Sequence, residues 1–181
     1  MLSRYASYAF LSAAVFASPA CHANTGAYPY SNLNLGDSLV IDEVRHGVLS
    51  GDTGLSADFC EDKSDFYCVT SELLCFAVPK NLAPEQKVWV YGKYRYEILR
   101  PAMTQRIFGE DVDIIVIGQS SISDKTHTPG TFFYYSPKRG LLAFGGYVER
   151  KADGKIYPGL PIDAMLSSES VGFGAESSAH Q

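Results

Sequence analysis

Four consecutive β-branched residues, Ile114 to Ile117, constrain this chain more than any other stretch. A run apolar at every position suits a strand buried on both faces, and four residues are too few for a helix. Glu110 and Asp111 before it, and Gly118 to Ser121 after it, read as turn-like flanks. A hairpin follows: Thr131–Ser136, a loop Pro137–Gly140, then Leu141–Val148. Pro137 presets φ at the first turn position and Gly140 can adopt the left-handed conformation that closes the loop. Pairing Ser136 with Leu141 places Tyr135 opposite Leu142, Tyr134 opposite Ala143, Phe133 opposite Phe144 and Phe132 opposite Gly145. Phe133, Phe144, Tyr135 and Leu142 then share the buried face, and Arg139 lies at a solvated tip.

Other segments fit the same picture. Ser38–Val44 reads as a strand ending in a turn at His46 and Gly47, after an extended lead-in from Asn24 to Gly36. Phe66–Val69 is rich in β-formers, and Ser71–Val78 after it fits a strand or a short helix, with the β-rich lead-in favouring strand. Pro101–Phe108 reads as a short helix, with Pro101 at its first position and Gly109 as its stop. The predicted class is mainly β, or α+β. One compact domain is expected, with an antiparallel sheet of about five to seven strands and one or two short helices.

The N-terminus carries one charge, Arg4, then an apolar stretch from Ala9 to Ala17, then small residues at Ala20 and Ala23. This is the layout of a signal peptide over residues 1–23, and the apolar stretch is too short to cross a bilayer. Residues 24–165 are then the β-rich domain and 166–181, rich in Ser, Gly and Ala, a flexible tail. Ser18-Pro19-Ala20-Cys21 resembles a bacterial lipoprotein box, but serine replaces the usual leucine, which argues against a lipid anchor at Cys21. Without Arg4, 14 basic residues face 20 acidic ones, so nucleic acid is not the expected partner.

Export implies an oxidising compartment, periplasmic or extracellular, where Cys60, Cys68 and Cys75 are an odd number. Cys60–Cys68 across a polar hairpin tip is the economical pairing, and Cys60–Cys75 competes with it. Cys75 sits in an apolar setting that disfavours the thiolate, so a core cysteine outweighs a nucleophile served by His46 or His127. The acids of Gly51–Asp65 lack calcium-loop spacing and read as a solvated loop. No metal or other cofactor is expected.

Lys87–Leu99 reads as one long strand. Val88, Val90, Tyr94, Tyr96 and Ile98 line one face, and Trp89, Tyr91, Lys93 and Arg95, with Glu97, line the other. The mixed aromatic and charged face is either a binding surface or an ordinary solvated one. Asp52-Thr53-Gly54, with Val116-Ile117-Gly118 downstream, resembles the catalytic elements of retroviral-type aspartic proteases. That resemblance implies a homodimer in which two copies of Asp52 share a proton. Ser50-Gly51 before the triplet and Leu55 after it depart from the family pattern, and Gly51-Asp52-Thr53-Gly54 is also a good turn. The reading that covers most of the chain is an exported, non-catalytic binding or structural protein with a protein or small-molecule partner. The protease is the alternative.

Overall fold

Pro137 and Gly140 set the central hairpin. The Arg139 N–H donates to the Ser136 carbonyl at 3.2 Å, closing a turn over Pro137, and Gly140 has φ +76°. β11 (Thr131–Ser136) and β12 (Gly140–Gly146) pair Phe133 with Phe144, Tyr134 with Ala143 and Phe132 with Gly145, as expected. Nearer the turn the expectation fails. Tyr135 pairs with Leu141 and Ser136 with Gly140, so Leu142 is the extra residue of a bulge. Leu141 is buried beside Tyr135, and Leu142 is only half-buried. Arg139 is not a solvated tip either. It is 8% exposed, pairs with Glu110, and donates to the Ser170 carbonyl at 2.8 Å.

The computed structural model describes residues 26–32, 36–83, 85–107, 109–146, 149–152, 155–158 and 164–176. The expected signal peptide and Cys21 lie outside them. No helix occurs among the described residues, so none is long and apolar enough to cross a membrane.

β10 (Glu110–Ser121) joins β11 to β9 (Tyr94–Ile107), and β8 (Val88–Tyr91) lies at the edge beyond β9. A second meander, β1 (Ala27–Ser31), β2 (Ser38–Asp42), β3 (Gly47–Ser50) and β4 (Thr53–Ser56), ends at the opposite edge. β15 (Met165–Ser167) fits between β1 and β12 and completes one antiparallel sheet of ten strands, not five to seven.

Several expectations are corrected here. Pro101–Ile107 is strand, not helix. β8 has left β9 by this point, and the β9–β10 ladder steps from Arg100↔Val116 to Met103↔Ile114, so Pro101 falls in a bulge on a one-sided strand where a missing N–H is tolerated. Lys87–Leu99 is two strands, because Gly92 (φ +57°) and Lys93 form a turn. Gly118 to Ser121 continue β10 rather than ending it. The acidic segment holds β4 and β5 (Asp58–Phe59).

β5, β6 (Phe66–Thr70) and β7 (Cys75–Pro79) form a separate antiparallel sheet that packs against the large one. Phe76 of β7 meets Phe133, Tyr135 and Phe173, with ring centroids 5.0, 6.0 and 6.3 Å apart. β7 is an edge strand, and side chains of the large sheet cap its free carbonyls. Trp89 Nε1 donates to the Ala77 carbonyl at 2.9 Å and Gln119 Nε2 to the Cys75 carbonyl at 2.6 Å. This satisfies carbonyls on an edge that has no further strand to pair with. Cys60 and Cys68 form a disulfide across the β5–β6 hairpin, as expected, and Cys75 is free. Closing so short a loop contributes about 2–3 kcal/mol on the chain-entropy estimate.

Residues 166–176 are not a free tail. Phe173 is 2% exposed in the core, and its carbonyl accepts from the Leu141 N–H at 2.8 Å. The Tyr135 hydroxyl donates to the Gly174 carbonyl at 2.8 Å. The small residues that suggest fraying are what lets this segment lie flat: a Cβ on Gly172 would stand 1.9 Å from the Leu141 oxygen. β13 (Glu149–Ala152) and β14 (Lys155–Pro158) form a two-stranded hairpin between β12 and β15.

Candidate functional site

Ile115, Ile117 and Gln119 alternate along β10 toward the small sheet, so the strand that builds the core also carries a polar side chain into it. Gln119 is 7% exposed. Its amide nitrogen donates to the Cys75 carbonyl at 2.6 Å and to the Tyr96 hydroxyl at 2.9 Å. A carbonyl can only accept, so the nitrogen must face Cys75 and both N–H groups are used. The amide oxygen is left as an acceptor. No buried side-chain polar atom among the described residues lacks a partner, so this oxygen is reachable from outside.

It is reached through a cavity of about 290 Å³. One wall is the β6–β7 turn, Ser71 to Cys75, and the other is made by Tyr94, Gln119 and Thr131. Phe133, Phe144, Gly145 and Gly146 complete the lining. The turn is held internally. The Ser71 N–H donates to the Leu74 carbonyl at 2.8 Å, and Ser71 Oγ accepts from the Leu74 N–H at 3.0 Å and the Leu73 N–H at 3.2 Å. Leu74 is thereby buried while Glu72 and Leu73 are exposed.

The Cys75 thiol is half-buried, 3.6 Å from the Tyr96 hydroxyl and 3.7 Å from Thr70 Oγ1. Burial holds the Tyr96 phenol well above its ordinary range, so it stays a neutral donor and acceptor. This arrangement offers hydrogen bonds. The partners of Cys75 are hydroxyls, not a general base. Both histidines once paired with it in sequence reasoning sit elsewhere: His46 is in a turn with its ring 5.9 Å from Phe59, and His127 is in an exposed loop. Among the described residues no group of three or more His, Cys, Asp or Glu could hold a metal ion.

Comparison with family models, with curated proteins and with solved structures gives no match.

The sequence-derived candidates do not converge on this cavity. Asp52 is exposed in the two-residue turn between β3 and β4, where Ser50 pairs with Thr53. Trp89, 5% exposed, lies flat against Tyr96, with centroids 5.7 Å apart and planes 3° apart. Tyr91 also points inward, its hydroxyl 3.3 Å from Cys60 Sγ and 2.9 Å from Cys68 Sγ. Lys93 is exposed in the turn, and Arg95 pairs with Glu97. These four residues therefore form no single platform. Sequence reasoning missed Gln119, although its place two residues beyond Ile117 in an alternating strand was the available signal.

Proposed function

We propose that this chain is an exported, non-catalytic binding protein whose small-molecule ligand occupies the cavity between the β6–β7 turn and strands β9 to β12. The carrying observation is Gln119, a polar side chain 93% withdrawn from solvent whose one uncommitted atom, an acceptor, opens to the cavity. Fixed polar groups in a concave site give a small ligand its orientation, and this cavity presents mainly polar surface, with Phe144 and Leu74 contributing a little apolar contact. The Cys60–Cys68 disulfide supports export to an oxidising compartment.

The test uses Gly146, which is exposed and has nothing within 4 Å of where a Cβ would stand. Gly146→Phe should fold and fill the mouth. A chemically diverse compound panel is screened by thermal shift on both proteins. Compounds that stabilise the native chain should fail on the variant. Hits that are indifferent to Gly146→Phe would place binding elsewhere and overturn the reading.

A further inference from the structure

Resting on that reading, we infer that the cavity takes a small amine, a cation carrying a compact apolar body. Two polar groups of the lining can only accept, the Gln119 oxygen and the Glu72 carboxylate, while the Thr131 and Tyr94 hydroxyls can donate or accept. Gln119 offers only its oxygen, because its N–H groups are bound to Cys75 and Tyr96. Ser71 Oγ is committed to its own turn, where it also donates to the Leu74 carbonyl at 3.2 Å. Among the described residues of the lining, Glu72 is the one carboxylic acid and there is no Lys, Arg or His. Lys93, next to Tyr94 in sequence, has its Nζ 5.4 Å from the Tyr94 ring centroid and does not itself line the cavity.

An anion entering here would meet a carboxylate and an amide oxygen with no cation among the described lining residues to offset them. An ammonium brings donors to those same acceptors, and the hydroxyls of Thr131 and Tyr94 can accept as well. The edges of Phe144 and Leu74 that line the cavity give its apolar part a small surface to rest on. At about 290 Å³ the space is at the small end for ligand sites, which limits that part to one ring or a short chain. The formal net charge of −5 also favours the approach of cations.

Three probes with one shared body test the charge: 2-phenylethylamine, 2-phenylethanol and phenylacetate, titrated calorimetrically at pH 7 into the native chain and the Glu72→Gln variant. Glu72 is exposed, so its substitution leaves the fold intact. The amine should bind most tightly, the alcohol about tenfold more weakly and the acid not at all. Glu72→Gln should weaken the amine about three- to fivefold, the range of a partly exposed ion pair, and leave the alcohol unchanged. An acid or alcohol that binds as well as the amine, or an amine indifferent to Glu72→Gln, overturns the inference. So does failure of all three probes. The panel experiment separates the two levels: a non-amine hit lost in Gly146→Phe removes the amine and keeps the cavity, whereas hits indifferent to Gly146→Phe remove both.

Discussion

The Tyr30 hydroxyl accepts a hydrogen bond from the Phe173 N–H at 3.1 Å, joining the first strand of the sheet to a residue 143 positions later. The same hydroxyl donates to the Leu141 carbonyl at 3.0 Å, so one phenol ties β1, β12 and the C-terminal segment together. Phe173 itself packs edge-on against Tyr28, Phe59 and Phe76. Phe173→Ala should therefore cost about 3–5 kcal/mol in chemical denaturation, the range for emptying a fully buried phenylalanine site. A loss below about 1 kcal/mol, ordinary for a surface position, would mean that this segment does not close the core.

Backbone crowding at the same crossing is tested separately. Gly172→Ala would drive a methyl into the Leu141 carbonyl, whereas a methyl at Gly146 meets nothing. The first substitution should destabilise by about 2 kcal/mol or more and the second by less than about 0.5 kcal/mol. Equal effects in urea melts would contradict the close approach.

Arg139→Ala removes the pairing with Glu110 and the bond to the Ser170 carbonyl. The Glu110 side chain is 57% exposed and can rehydrate, so the expected cost is about 1–2 kcal/mol rather than that of a fully buried pair. Lys138→Ala, one residue earlier and exposed, should stay within about 0.5 kcal/mol. If the two variants melt alike, Arg139 does not anchor the hairpin.

Alkaline pH addresses the buried phenols. Burial holds Tyr30, Tyr96 and Tyr135 well above the ordinary tyrosine value near 10. The unfolded chain releases these protons near pH 10 while the folded chain keeps them. The folded state therefore binds more protons, and stability falls as pH rises past that point. Each phenol contributes up to about 1.4 kcal/mol per pH unit there. Denaturation midpoints should be level in these terms between pH 7 and 9 and drop steeply above 10. A midpoint unchanged to pH 11 would refute the burial of these hydroxyls.

The legible parts of the fold were those specified locally. Pro137, Gly140 and the Phe133–Phe144 pair could be placed because turn chemistry and alternation act within a few residues. The bulge at Leu142 could not, since the gain from burying Leu141 beside Tyr135 is a property of the assembled core. At Gly92 and Lys93 a two-residue turn reverses the alternation, so Trp89 and Tyr96, on opposite faces of one continuous strand, stack on the same face of a hairpin. Pro101 mimicked a helix start because its place in an edge bulge depends on where β8 ends. The cavity was the least legible feature. Gln119 gains its meaning only when the Cys75 carbonyl, 44 residues earlier, arrives at 2.6 Å.

A ligand held in the cavity beside Gln119 would perturb the backbone amides that surround it. Amide-detected NMR of the labelled native chain, titrated with the best-binding compound of the panel, reads this out residue by residue. Shifts should concentrate at Leu74, Cys75, Gln119, Thr131, Gly145 and Gly146, with the Gln119 side-chain amide among them. Shifts confined to the opposite face of the sheet, around Ile107, Tyr134 and Leu166, or spread without a focus, would contradict binding in this cavity.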